Sequence, residues 1–168
     1  MSPPFVIELL SALHQRQEFA CGVEALDRYL RQQVSQDVRK HVTACYVTRE
    51  IATGALAGYY TLAAGSVLLS RMPSSLAKKL PRYPDVPVAR LGRLAVDQKF
   101  HGQKLGAAML WDAILRAARS EVVVYGLVVD AKDDGAVGFY RHHGFIALNE
   151  EARQLVLPLA NLREPTKT

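Results

Sequence analysis

Arg90-Leu-Gly-Arg-Leu-Ala-Val-Asp-Gln-Lys-Phe-His-Gly-Gln-Lys-Leu-Gly-Ala107 contains a strand, a loop and the opening of a helix in one run. Arg90 to Asp97 reads as the strand, Asp97 to Gln103 as the loop, and Lys104 to Ser120 as the helix. A helix N-terminus presents backbone N–H groups without intrahelical partners at the positive end of the dipole. That combination favours a bound anion, most often phosphate. Gly102 and Gly106 allow the backbone to approach a ligand closely. His101, Gln103 and Lys104 are possible side-chain donors beside it. No Gly-Lys-Ser/Thr follows, which excludes a Walker loop, and the three-glycine dinucleotide fingerprint is incomplete. Taken alone, two glycines in a loop read equally well as an ordinary turn with a packing glycine at Gly106.

Working outward, the helix from Lys104 has one narrow polar stripe, Asp112, Arg116 and Arg119, and is expected to be buried on most other sides. Val122 to Val129 is a nearly continuous apolar run, as in a strand covered on both faces. Asp133 to His142 reads as a short helix. Gly144 to Leu148 and Arg153 to Leu157 read as closing antiparallel strands. Upstream, Phe5 to Leu10 and Val42 to Thr48 are strands. Gly22 to about Lys40 is a helix, with Val23, Leu26, Tyr29 or Leu30, and Val34 at helical spacing. Ala55 to Leu69 is one long strand or two. Pro73 and Ser74 open a short helix through Leu80, and Pro81, Pro84 and Pro87 mark an irregular extended stretch. Strands alternating with helices predict an α/β or α+β domain around a mixed central β-sheet flanked by helices.

The chain has 168 residues, the size of one domain, expected over residues 1–162, with 163–168 as a frayed polar tail. A domain of that size buries roughly 70% of the surface its unfolded chain exposes, so it needs neither disulfide nor metal to hold a core. Hydrophobic residues make up 49% and charged residues 22%, which excludes a disordered or collagen-like chain. No apolar run reaches the roughly 20 residues of a membrane span. The N-terminus lacks the basic segment and apolar run of a secretory signal. Cys21 and Cys45 have no paired spacing, so they are expected as reduced thiols in a cytoplasmic protein without a metal site.

The net charge is +5, from 21 basic and 16 acidic residues. Its distribution is uneven. Arg71, Lys78, Lys79, Arg82, Arg90 and Arg93 face a single acid, Asp85, over that interval. Such a segment suits phosphates, or else a solvated loop and helix face.

In context, the loop resembles the acetyl-coenzyme A motif of the GNAT acetyltransferase superfamily, Gln/Arg-x-x-Gly-x-Gly/Ala, whose tail appears here as Gln103-Lys104-Leu105-Gly106-Ala107. Lys104 stands where the family has its middle glycine. We expect it to keep helical φ/ψ and to add positive charge near phosphate. A second segment, Asp133-Asp-Gly-Ala-Val-Gly-Phe-Tyr140 followed by Gly144-Phe145, is similar to the family's Asn-x-x-Ala-x-x-Phe-Tyr signature, with Asp133 in place of Asn. The resemblance implies acetyl-coenzyme A as co-substrate. It places the coenzyme against Leu94, Ala95, Val96, His101, Gly102, Gln103, Lys104, Leu105, Gly106, Ala107, Asp133, Ala136 and Phe139.

It also makes Tyr140 the catalytic residue. A thiol has a pKa of roughly 8.5 and a tyrosine about 10, so a tyrosine hydroxyl can donate to a departing thiolate. The competing reading is a core tyrosine packed on the sheet. His142 and His143 are read as the exposed end of a helix, without a role.

Phe19-Ala-Cys-Gly-Val-Glu-Ala-Leu-Asp-Arg-Tyr-Leu30, Tyr59-Tyr-Thr-Leu62 and Pro87 to Asp97 look like the GNAT toxins of bacterial type II toxin–antitoxin pairs. That resemblance implies N-acetylation of the α-amine of aminoacyl-tRNA and a block of translation. An α-amine has a pKa of about 7.7–8.0, lowered further by an adjacent ester, so little general base is needed. No Asp or Glu is clearly placed as one. The basic segment fits a tRNA substrate, with Arg90, Arg93, Lys78 and Lys79 as contacts, or salt bridges to the protein's own acids instead. A ribbon–helix–helix antitoxin and a homodimer are the implied partners. Two other readings stay open: an acetyltransferase for a small amine or protein N-terminus, and a coenzyme-binding module without activity.

Overall fold

The computed structural model describes residues 4–162, so the expected tail at 163–168 lies outside the described residues. Seven strands are found among them: β1 Phe5–Leu9, β2 Ala44–Glu50, β3 Leu56–Leu68, β4 Asp85–Val96, β5 Gly126–Asp130, β6 Ile146–Leu148 and β7 Glu151–Pro158. They form one sheet in the order β1-β2-β3-β4-β5-β7-β6. β4 and β5 pair in parallel, whereas β1–β2, β2–β3, β5–β7 and β6–β7 pair antiparallel. The expected mixed sheet with helices is therefore present. The helices are α1 Glu24–Arg28, α2 Val34–Arg39, α3 Ser74–Ala77, α4 Leu105–Ala118 and α5 Asp134–His142. The chain divides into two compact units.

The first unit runs up to Ala63 and includes Gly92–Ala113. Its core joins Phe19, Tyr29, Leu30, Val34, Cys45, Val47, Leu56, Tyr59 and Ala95. The helix expected over 22–40 forms in three pieces, because a π-turn at Tyr29–Gln33 separates α1 from α2. In a regular α-helix, neighbours point about 100° apart. The wider turn takes up one extra residue and lets both Tyr29 and Leu30 enter the core. β3 resolves the one-or-two question as one strand. Gly58 is required on it, since a Cβ there would lie 2.8 Å from the Ala95 carbonyl oxygen.

The second unit holds Ala64–Leu91 and the chain from Ile114 onward. Its core groups Val67, Met72, Val86, Val88, Val128, Leu148 and Val156. Two strand starts depart furthest from expectation. β4 starts at Asp85 and takes in Pro87: Val86 and Val88 are buried while Asp85 and Pro87 are exposed, a period of two that proline's fixed φ tolerates. β5 starts at Gly126 rather than Val122, with Val122 and Val123 72% and 83% exposed. Apolar composition there marked a loop. On α4, Trp111 is 49% exposed, so the apolar surface of that helix extends beyond its buried face.

Candidate active site

The loop before α4 is held from below. Asp97 is 3% exposed and caps the 3-10 turn Gln98–Phe100. Its Oδ1 accepts from the Lys99 N–H at 2.8 Å and its Oδ2 from the Ala20 N–H at 3.0 Å. Phe100 packs with Ala57 and Leu105 and meets the Phe5 ring edge-on. A His101 ring N–H donates to the Val96 carbonyl at 2.9 Å. Val96 and His101 are thereby tied together across the turn.

Above these anchors, His101, Gly102, Gln103 and Lys104 are exposed. Gly102 has φ +84° and Lys104 φ +61°. The expectation of helical φ/ψ at Lys104 is corrected: it is left-handed, and α4 begins one residue later. Glycine enters that backbone region without penalty, and a lysine there bears the steric cost of its Cβ. The N–H groups of Leu105, Gly106 and Ala107 lie in the first turn of α4, where no carbonyl lies a turn behind them. The first backbone bond of the helix runs from the Ala108 N–H to the Lys104 carbonyl. Gly102 has nothing within 4 Å of where a Cβ would stand. The donor set fits a pyrophosphate: unpartnered amides, a helix dipole and one ammonium. Leu94 and Val96 are half-buried on β4 and Ala95 is buried.

In the second unit, Asp133 is the N-cap of α5 and accepts from the Ala136 N–H at 2.8 Å. Asp in place of the family's Asn keeps this cap. Tyr140 is buried on α5 with its ring against Phe139 and Phe145. Tyr29, Tyr59 and Tyr60 each spend their hydroxyls on Asp37, the Leu26 carbonyl and Asp112. No such bond to the Tyr140 hydroxyl is found among the described residues. Burial, aided by the charge of Asp130, pushes the Tyr140 phenol up to about 12. It is therefore a neutral O–H donor at any physiological pH. His142 is exposed at the helix end, and His143 packs on Phe139.

The basic residues are dispersed. Arg90 Nη1 lies 3.8 Å from Asp130, and its Nη2 donates to the Ser66 carbonyl at 3.3 Å. Lys78 and Lys79 are exposed at the end of α3. Arg93 belongs to the first unit and lies over the Tyr29 ring, 3.5 Å from its centroid. It lines a cavity of about 280 Å³ with Arg28, Tyr29, Gln32 and Gln33. A larger cavity of about 430 Å³, lined by Glu18, Thr53, Lys99 and Phe100, contains none of the expected site residues.

Two features escaped the sequence reading. Asp27 is buried and accepts from the Cys21 N–H at 2.8 Å. Its signal was an acid inside an apolar helical stripe. Asp130, beside Tyr140 in charge, was legible only as an acid closing an apolar strand. Among the described residues, no group of three His, Cys, Asp or Glu is placed to hold a metal, and no helix is long and apolar enough to cross a membrane.

Known proteins resemble the chain over most of its length. It is 34% identical over 147 residues to the tRNA-acetylating toxin of Mycobacterium tuberculosis, covering 86% of each chain. It is similar to the structure of AtaT complexed with acetyl-methionyl-tRNAfMet, with 32% identity, a TM-score of 0.85, and coverage of 93% of this chain and 95% of that one. A third likeness is to a mutant AtaT toxin bound to acetyl-CoA and the C-terminus of the antitoxin AtaR, at 27% identity, a TM-score of 0.79, and coverage of 94% and 95%. The pattern of the acetyltransferase (GNAT) family matches residues 7–145. With a left-handed loop opening onto α4, a capped α5 carrying Tyr140, and a match over most of its length, the chain belongs to the acetyltransferase (GNAT) family.

Proposed function

We propose that this chain transfers an acetyl group from acetyl-coenzyme A to the α-amine of aminoacyl-tRNA and so halts translation. When bound, the coenzyme supplies the thioester carbonyl that the amine attacks. The first-turn amides of α4, with Gly102, Gln103 and Lys104, hold its pyrophosphate. Leu94, Ala95 and Val96 contribute strand backbone, and Ala136 and Phe139 apolar contact. The Tyr140 hydroxyl donates to the sulfur as it departs.

The observation that carries the choice of acceptor is the state of the buried carboxylates. Asp27 and Asp97, the two buried acids among the described residues, both accept from backbone N–H groups. Both carboxylates are occupied in holding backbone amides, Asp27 that of Cys21 and Asp97 those of Ala20 and Lys99. An acceptor that arrives largely neutral suits such a protein, and an α-amine beside an ester is one. The kinship to a tRNA-acetylating toxin supports the same choice.

Arg90, Arg93, Lys78 and Lys79 serve the tRNA in this proposal. An antitoxin of the ribbon–helix–helix kind holds the enzyme in check, the chain works as a homodimer, and it acts in the cytoplasm, where charged tRNA is found. The test is mass spectrometry of nuclease-digested charged tRNA after incubation with protein and acetyl-coenzyme A. Acetyl-aminoacyl-adenosine is expected, and it vanishes with Tyr140→Phe. Release of free coenzyme A with some other amine, and none with charged tRNA, refutes the proposal.

A further inference from the structure

The π-turn builds a feature that the acetyl transfer itself does not use. It presents Tyr29 to Arg93, whose Cζ sits 3.5 Å from the ring centroid, a stacking distance for a planar guanidinium. Tyr29 is fixed in turn, because its hydroxyl donates to Asp37 at 2.7 Å and Gln33 donates to the same carboxylate at 3.1 Å. No ion pair is found for Arg93 among the described residues. One side of the guanidinium is therefore taken by Tyr29, and Arg93 also lines the cavity of about 280 Å³. Gln32 is exposed on the cavity wall beside Gln33. Arg28 stands at the same cavity, 3.8 Å from Glu24.

Unstacked bases at single-stranded RNA ends lie on aromatic rings or on arginine planes, and their edges are read by side-chain amides. Glutamine, like asparagine, has an amide that matches the donor and acceptor on an edge of adenine. We infer that the cavity formed by Tyr29, Arg93, Gln32 and Gln33 receives a nucleobase: the terminal adenine of the tRNA, stacked on Arg93. This inference rests on the aminoacyl-tRNA proposal and assigns the site that recognises its 3′ end. A phosphate fits Gln32 and Gln33 less well, since their amides are neutral and Arg28, the other cation at the cavity, lies 3.8 Å from Glu24.

Two measurements test it. The first compares the amino acid 3′-linked to adenosine with the same amino acid as its methyl ester. Wild type is expected to favour the adenosine acceptor, and Arg93→Lys, which keeps the charge but not the plane, to cut that preference about tenfold. Gln32→Leu, at an exposed position, is expected to lower it in the same direction. The second uses an acceptor-stem minihelix ending in 2-aminopurine. Its fluorescence is expected to be quenched by wild type and by Tyr140→Phe, and not by Arg93→Lys that still binds acetyl-coenzyme A. Quenching by Arg93→Lys equal to wild type, or no preference for adenosine in wild type, overturns the inference. Quenching without any acetylation of charged tRNA leaves the base site standing and removes the proposed reaction instead.

Discussion

Replacing Lys104 separates two effects that the lysine combines. Its φ of +61° is the left-handed region. An L-residue there is disfavoured against glycine by about 1–2 kcal/mol. Glycine loses more chain entropy on folding, about 0.5–1 kcal/mol. Lys104→Gly is therefore expected to raise stability by about 0.5–1 kcal/mol, an increase in Tm of roughly 1–4 °C for a chain of this size. Lys104→Ala keeps the strain and removes the ammonium, so it is expected to melt with wild type. Both variants lose one charge beside the pyrophosphate. Acetyl-coenzyme A is expected to bind each about 3- to 10-fold more weakly at low salt, with the difference shrinking as salt rises. The assays are thermal unfolding of the free protein by circular dichroism and calorimetric titration with the coenzyme. If the glycine variant melts with or below the alanine variant, the loop is not strained at 104 and the geometry argued for it is wrong.

Tyr140→Phe is expected to lower kcat by about 10²- to 10⁴-fold while acetyl-coenzyme A still binds, because only the donor to sulfur is removed; an unchanged kcat in single-turnover assays would refute the assignment. The Tyr140 phenol, held up near 12 by burial and Asp130, keeps its proton through pH 10. The 295 nm titration difference between wild type and Tyr140→Phe is thus expected to rise toward pH 12, and a midpoint near 10 would contradict the burial. Asp97→Ala orphans the Ala20 and Lys99 amides and is expected to cost about 2–4 kcal/mol in denaturant unfolding; a loss of activity at full stability would instead make Asp97 a catalytic group. Glu8 is lowered to about 2 by its bonds to Arg49 and His14. A depressed carboxyl stabilises the fold above pH 4.5, and that contribution fades as pH falls toward 2. Glu8→Gln is expected to flatten this part of the acid-unfolding curve, and an unaltered curve would show that the cluster is open in solution.

Much of the candidate site's local geometry was legible because it is set within short segments. The amides at the start of α4, the cap at Asp133 and the placement of Tyr140 seven residues later all follow from spacing along one segment. Lys104 was misread because a lysine carries no sign of left-handed backbone; the surrounding turn imposes it. Val122 and Val123 were misread because an apolar residue does not state whether anything covers it. Pro87 was misread because its exclusion from strands is a rule about ladder hydrogen bonds, and alternation at Val86 and Val88 decided otherwise.

By itself, the sequence determined the order of strands and helices, the mixed sheet, the glycine loop before α4 and the helix that carries Tyr140, since each depends on residues near one another in the chain. Tertiary structure alone decided which charged groups are free. Asp97 is consumed by amides from Ala20 and Lys99, Arg90 leans on Asp130, and Arg93 lies on Tyr29. A side chain's partner is set by folding across long separations, and no local pattern records it.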